Sequence, residues 1–355
     1  GRLGQQLLLP PDSSRPTAML ERLSIIGARV TIQDVGSGRL WIFPRAEADF
    51  RRHEFGIDGN VDLELALGAK RFVFLADAAF DYVRQSLEVG LRFNDIVPAD
   101  LAAAAEELRI LETIQMPLTG TANLVIAPDG SLSPLNFAIE GGSGRIVLAP
   151  FLDEPLALSE LFAKGVVPPT LDSVTLTDLR ARSNGARGEG SGEILLEDGE
   201  PVLNLSGIIE NVSAQLVDRY WPAGVTPFAR AWFKKNVTGG TLTQGSVRLA
   251  LRGSDIENRN LRSGSVEARF LFSGGAGTYL GALPPVTNAA GSVHMTESTF
   301  EATFYSADVE GLALSEGRIR LVKEAPRKWN AVVEFVASGE SKIMLGMLDR
   351  EPLLF

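Results

Sequence analysis

The stretch Tyr220–Gly240, YWPAGVTPFARAWFKKNVTGG, carries the densest set of local structural signals in this 355-residue chain. Thr226–Pro227 is typical of a helix start, because a threonine hydroxyl accepts a free backbone N–H and proline suits the first helical position. Phe228, Ala231 and Trp232 follow at the spacing of one helical face. Two lysines in the last turn and two closing glycines favour a helix end. The stretch therefore predicts a short amphipathic helix.

On both sides of this helix the apolar residues recur at every second position, which is the period of half-buried strands. In residues 56–68, for example, Val61, Leu63 and Leu65 share one face, and acidic residues occupy the other. Roughly twenty such segments follow one another, separated by glycine-containing turns. Alternation alone is compatible with a closed barrel, a two-sheet sandwich or a long bent sheet.

The number of strands and the glycines near strand ends favour the bent sheet, because one unsplit twisted sheet rarely holds so many strands. We therefore predict a mainly β fold, an elongated and strongly bent antiparallel sheet that forms a U-shaped hydrophobic groove, with two or three short helices. The first arm spans residues 1–170 and contains a helix near 98–114, where PADLAAAAEELRILETI is rich in alanine. The second arm spans 171–355 and contains the central helix near 227–237.

The alternating apolar residues are the candidates for the wall of this groove, although the same pattern also produces closed protein cores. The residues that we expect to line the groove are Leu63, Leu65, Leu91, Phe93, Leu124, Ile126, Phe137, Ile139, Leu249, Leu251, Phe270, Phe272, Phe300 and Phe304. Trp221, Trp232 and Phe233 are interpreted as packing for the central helix, with a plug in the groove as the alternative.

Composition limits the classes of function. The net charge is −10 and no Lys/Arg cluster is present, which argues against nucleic acid as a partner. The chain has no cysteine and only two histidines, which excludes thiol catalysis and a multi-histidine metal centre, and we expect neither metal nor cofactor. No apolar run approaches the roughly 18 residues of a membrane span. Because the chain begins without methionine and stops inside the apolar Pro352–Phe355, we expect it to be an internal piece of a longer protein.

Several segments resemble the AsmA-like family of bacterial proteins. In the first arm these are LERLSIIGARVTIQD (residues 20–34) and PLTGTANLVIAPDGSLSPLNFAIEGGSGRIVL (117–148). The central YWPAGVTPFARAWFKKNVTGG is similar to a segment of the YhdP branch of that family. LPPVTNAAGSVHMTESTFEATFYSADVEGLAL (283–314) and LGMLDREPLLF (345–355) are similar to the same branch. The resemblance is specific around the central segment and diffuse elsewhere.

This resemblance implies a bridge-like lipid-transfer protein, held in the inner membrane by an N-terminal helix, whose β-groove crosses the periplasm and carries phospholipid to the outer membrane. The chain would then be a middle section of that groove. Its partners would be phospholipid and, through parts of the protein outside this sequence, the two membranes, and its work would belong to outer membrane biogenesis in the cell envelope.

We expect no enzymatic activity and assign no catalytic residue. The acidic residues sit in turns and on solvated strand faces, and no nucleophile, phosphate-binding or zinc motif is present. The alternative is a structural or assembly scaffold of the bacterial envelope, with a closed β core and no lipid transport.

Overall fold

The computed structural model of the protein describes residues 8–12, 14, 19–33, 40–102, 106–222, 224–258, 260–279, 283–325 and 328–351. The fold is mainly β, with 63% of the residues in strands, which confirms the predicted fold class. Seventeen strands belong to one antiparallel sheet that does not close on itself within these residues, which is consistent with a groove.

The strands alternate along the chain with short turns. They are β1 (Arg22–Gln33), β2 (Leu40–Arg52), β3 (Gly56–Leu67), β4 (Lys70–Asp81), β5 (Ser86–Ile96), β6 (Ile114–Gln115), β7 (Leu118–Ile126), β8 (Leu135–Gly141), β9 (Gly144–Ile146), β10 (Leu156–Leu158), β11 (Glu160–Val167), β12 (Ser173–Ser183), β13 (Ala186–Glu197), β14 (Glu200–Ser213), β15 (Val237–Arg252), β16 (Val266–Gly277), β17 (Val286–Thr296), β18 (Thr299–Val309), β19 (Leu312–Ala325) and β20 (Lys328–Ser338). All except the short β6, β9 and β10 belong to the large sheet.

The described residues contain five short α-helices, where the sequence analysis expected two or three. They are α1 (Pro98–Leu101), α2 (Ala214–Tyr220), α3 (Pro227–Asn236), α4 (Gly253–Glu257) and α5 (Ser341–Leu348). None of them is long and apolar enough to cross a membrane. Helices of one or two turns leave little periodicity in a sequence, which is why the expected number was too low.

The helix predicted near 98–114 is present in part, but the helix type differs along the range. The structure has α1 over four residues and a 3-10 helix over Glu106–Thr113, and residues 103–105 lie outside the described part. Alanine has a high helix propensity but adds little apolar surface, and most helical stability in proteins comes from packing. An alanine-rich segment therefore need not become one continuous helix.

Contacts divide the chain into two units. The first comprises Gly1–Arg145 and Leu161–Leu176, and the second comprises Ile146–Glu160 and Thr177–Phe355. The segment Ile146–Glu160 thus belongs to the second unit, whereas the sequence-based ranges 1–170 and 171–355 place it in the first arm.

In the first unit, β1, β2, β3, β4, β5, β7, β8 and β11 pair in that order, each antiparallel to the next. Residues that lie directly opposite each other in such pairs share a face of the sheet. The buried core of this sheet sits at one end of the strands, where Leu65, Phe72 and Ile96 pack with Trp41 and Leu101. Most large apolar side chains of this face that lie away from that end are only half-buried.

In the second unit, β13 to β20 pair in sequence order, again antiparallel. The helix pair α2–α3 occupies the connection between β14 and β15 and packs on the apolar face of this sheet. Val217, Trp221, Val225 and Ala229 are its most buried apolar side chains. A second core, which includes Leu312 and Met347, lies beneath α5.

The structure confirms the central helix as α3 but corrects its start. Thr226 has a left-handed backbone (φ 36°, ψ 61°), and its side chain makes no capping hydrogen bond. It is fully buried, and its Oγ1 lies 3.5 Å from Met295 Sδ. The hydroxyl cannot cap the helix because tertiary packing directs it into the sheet.

The end of α3 and its buried face also differ from the prediction. Val237 is already extended, so Gly239 and Gly240 lie inside β15 and do not stop the helix. Phe228 is 45% exposed, whereas Ala229 is fully buried. The packed face of α3 therefore begins one position later than predicted.

Two leucines of β3 test whether the apolar face of the first unit is covered. Leu65 is 5% exposed and belongs to the core, whereas Leu63 points to the same side and is only half-buried. We expect Leu65→Ala to cost about 2–5 kcal/mol of unfolding free energy. Leu63→Ala should cost about 1 kcal/mol, since it leaves no enclosed void. Urea unfolding midpoints of the two variants give the comparison, and equal losses would show that the face is covered along its whole length.

Candidate functional site

The predicted groove residues of the first unit all lie on one face of its sheet. Phe93 stands opposite Gly120, which stands opposite Ile139, and Leu124 stands opposite Val89. Leu63, Leu91, Ile126 and Phe137 occupy the same face, as does Leu65 at its core end. Of these predicted residues, Leu65 is fully buried and the others are half-buried. The structure thus places an apolar surface there without a complete covering layer.

The opposite face of the same sheet is polar. Asn60 lies opposite Asp77, and Asn123 lies opposite Asn136. Arg92 donates to both carboxylate oxygens of Asp77, at 3.0 and 2.8 Å. The sheet therefore separates a wetted face from an apolar face, as period-two alternation requires.

The predicted groove residues of the second unit share one face and border two cavities. The larger cavity has a volume of ≈330 Å³, and Leu249, Leu251, Phe270 and Phe300 are among its lining residues. The smaller cavity has a volume of ≈130 Å³ and is lined by residues that include Phe272, Phe300 and Phe304. Among these six, Leu251 is fully buried, and Phe300 is 5% exposed beneath Trp221. These two side chains belong to the core and also line the cavity.

Sequence reasoning missed one wall of the larger cavity. Leu148, Phe151, Leu152, Leu156 and Leu158 lie on the segment before and within β10 and line this cavity. The apolar residues of that segment do not recur with a regular period, so nothing in the local pattern connects it with β15 or β18. The general richness in leucine was the only available signal.

The helix pair α2–α3 lies against both cavities. Val217 and Phe233 of the pair line each of them, as do Leu242, Val293 and Phe300 of the sheet beneath, so these side chains stand between the two spaces. Trp221 stacks on Phe300 with ring centroids 6.4 Å apart, and its Nε1 donates to the Val225 carbonyl at 2.8 Å. The interpretation of Trp221 as packing agrees with these contacts.

Charged side chains hold the helix pair in place at its solvent side. Arg230 Nε donates to Asp218 Oδ1 at 2.7 Å, and Nη1 donates to Asp153 Oδ2 at 2.6 Å. Lys234 donates to Asp218 Oδ2 at 3.1 Å. Burial alone would raise the pKa of Asp218, but the hydrogen bonds from Arg230 and Lys234 outweigh burial and leave that pKa lowered. The contact therefore contributes stability at neutral pH and loses it only as pH falls below the usual carboxyl range.

Phenylalanines on the apolar faces pair with glycines across the strands. The pairs, each directly opposite in register, are Phe50–Gly59, Phe93–Gly120, Phe137–Gly165, Phe270–Gly245 and Phe272–Gly291. Ring atoms occupy the space that a Cβ would take, for example 2.8 Å from a Cβ built on Gly291. Each ring thus leans over the neighbouring strand instead of standing upright, and this keeps the space above the sheet open.

No family model, no curated protein and no solved structure matches this chain. Within the described residues, no group of three or more histidine or acidic side chains is arranged to hold a metal ion.

The Phe270–Gly245 pair makes a steric prediction. A Cβ on Gly245 would lie 2.7 Å from Phe270 Cε1 and 2.5 Å from the Arg269 carbonyl, so Gly245→Ala should cost about 1–3 kcal/mol of unfolding free energy. Gly188 of β13 lies on the same face of the sheet as Gly245. A Cβ on Gly188 would have no atom within 4 Å, so this glycine provides the matched control. Thermal unfolding should show a clear loss for Gly245→Ala and none for Gly188→Ala. Equal stabilities would mean that the ring does not need the glycine.

Proposed function

We propose that this chain is a groove segment of an envelope lipid-transfer protein, in which the apolar faces of the sheet hold phospholipid acyl chains as they cross the periplasm between the inner and outer membranes. The proposal includes a tether in the inner membrane and membrane contacts through other parts of a longer protein, and no catalytic step. The resemblance to the AsmA-like family suggests this role.

The observation that carries the proposal is the ≈330 Å³ apolar cavity of the second unit. An engineered cavity of about 150 Å³ lined by leucine, isoleucine and phenylalanine stays dry and binds benzene. A cavity more than twice as large, with a similar lining, has room for a hydrocarbon segment. Because each buried CH₂ contributes about 0.8 kcal/mol, even part of an acyl chain would gain several kcal/mol there.

The half-buried apolar face of the first unit supports the same class of ligand. Its polar opposite face is solvated by Asp77, Arg92 and Asn123, so only one side of the sheet suits a hydrocarbon. Apolar surface left in water costs about 25 cal/mol per Å². An acyl chain lying on this face would remove that cost, while a charged head group stays in water.

A single tyrosine favours an acyl chain over a plain alkane. Tyr279 lines the smaller cavity, and its buried hydroxyl has no hydrogen-bond partner among the residues that the structure describes. Burial raises the pKa of Tyr279, so the hydroxyl keeps its proton. An unpaired buried hydroxyl costs about 1–3 kcal/mol, and the carbonyl of an ester or carboxylic acid would accept its hydrogen bond.

The alternative function is a structural or assembly scaffold with a closed core. Its support is the helix pair: Trp221, Val225 and Ala229 fill part of the apolar face with protein side chains. In the scaffold, the remaining cavities would be packing defects that hold no ligand.

Crosslinking from neighbouring positions of β16 separates the two functions. Phe270 lines the larger cavity, and the adjacent Arg269 points to the other face of the same strand, where it contacts Glu267. A photoreactive residue introduced at position 270 should crosslink to co-purified phospholipid, detected by mass spectrometry of the intact protein. The same residue at position 269 should give far fewer adducts, because its neighbours across the strands are the polar Ser246 and His294.

Lipid adducts at position 270 and few or none at 269 would support the groove. Equal yields at both positions would indicate nonspecific adsorption of detergent-like material. Absence of adducts at position 270 in protein purified under gentle conditions would favour the scaffold.

A further inference from the structure

The helix pair α2–α3 occupies a connection that the sheet itself does not need. β14 and β15 are adjacent antiparallel strands, and two residues suffice to join such a pair. Residues 214–236 are inserted at this point instead, and they place Val217 and Phe233 between the two cavities. A hydrocarbon chain longer than the larger cavity meets these two side chains on its way to the smaller one.

The wall of the larger cavity is attached to the helix pair by a few polar contacts. Arg230 of α3 reaches Asp153, which lies on the same segment as the cavity-lining Phe151. Tyr220 of α2 donates to Ser183 Oγ at 2.8 Å, and Ser183 Oγ donates to the Ala157 carbonyl at 2.5 Å. Charged and polar contacts thus connect two elements that enclose the apolar space.

The joint between α2 and α3 stores backbone strain. Thr226 has φ 36°, a left-handed conformation that β-branched residues rarely adopt. Such strain persists only where the surrounding packing imposes it, and it is released when the packing is lost. Both helices are shorter than the roughly 12–15 residues at which an isolated helix becomes stable in water, so their structure depends on contact with the sheet.

We propose that the helix pair α2–α3 is a gate between the two hydrocarbon sites of the second unit. In the closed state, Val217 and Phe233 separate the cavities, and the Arg230–Asp153 contact attaches the gate to the cavity wall. In the open state, the helix pair has moved away from the sheet, and the two cavities join into one path along the apolar face. This inference rests on the proposed function, because a gate needs an apolar ligand to pass.

The chain has no cysteine, so two introduced thiols are the only ones available for crosslinking. The double variant Asp153→Cys/Arg230→Cys removes the contact, together with the Arg230–Asp218 hydrogen bonds within the pair, and a short bifunctional maleimide then links the pair covalently to the cavity wall. One protein therefore provides an unlatched and a locked form. The control is Arg248→Cys/Glu267→Cys, a cross-strand pair of β15 and β16 whose native side chains lie 3.7 Å apart at the surface.

The readout is the rate at which a fluorescent fatty acid, preloaded on the protein, moves to phosphatidylcholine vesicles in a stopped-flow experiment. We expect the unlatched form to transfer about tenfold faster than the unmodified protein, because a hydrogen bond between charged groups contributes about that factor. The locked form should transfer at least about tenfold more slowly. The control pair should change neither rate.

Phe233→Leu is the second variant. It keeps an apolar side chain but makes the barrier between the two cavities smaller, so we expect faster transfer of the fatty acid from this variant too. Equal transfer by locked, unlatched and unmodified protein would overturn the gate and leave the groove intact. If the unmodified protein binds no fatty acid, the proposed function fails, and the gate fails with it because nothing passes through it. If the protein binds fatty acid, hydrogen exchange tests the opening independently of the transfer rate. Amides of residues 214–236 that exchange faster than those of β14 and β15 would show the opening; equal protection would overturn it.

Discussion

The apolar face of an antiparallel sheet must either be covered by other protein or be occupied by something else, and this constraint governs both units. In the first unit, covering is confined to one end of the strands, around Leu65 and Phe72. In the second unit, a helix pair covers the middle of the face and leaves a cavity on each side. The polar face needs no such arrangement, because ion pairs such as Arg92–Asp77 keep it in water.

On the apolar faces, glycines make room for the phenylalanine rings of the neighbouring strands. Large aromatic rings provide apolar surface, but upright rings would fill the space that a ligand needs. A glycine directly opposite removes the Cβ and lets the ring lie across the next strand, as at Phe270–Gly245 and Phe272–Gly291. The arrangement recurs in both units, so a ring laid over a glycine of the neighbouring strand is a common feature of their apolar faces.

Period-two alternation was sufficient to predict the fold class and the face on which residues such as Leu91, Phe137 and Phe270 lie. It was sufficient because strand register fixes which side chains share a face, and register follows from consecutive pairing along the chain. The local signals at residues 227–237 likewise predicted α3. The left-handed Thr226, however, depends on contacts with Met295 that no nearby residue reveals.

The site was only partly predictable for the same reason. The alternating strands identified one wall of the larger cavity, whereas the wall that carries Phe151 comes from a segment without a period. The division of the apolar face by Val217 and Phe233 is a tertiary feature, since it depends on where an inserted connection packs. Packing between distant parts of the chain decides whether a sheet face is covered by side chains or left open. The alternation of apolar and polar residues is the same whether the face is covered or open.

The most direct test is to locate a hydrocarbon chain on the sheet. Crystals of the protein loaded with a phospholipid brominated in its acyl chains would give anomalous diffraction from the bromine atoms. The account predicts bromine within about 4 Å of Phe270 or Val293, on the apolar face of the second unit. Bromine found only on the Arg269 side of the sheet, or a cavity closed by side chains with no bromine in it, would contradict it.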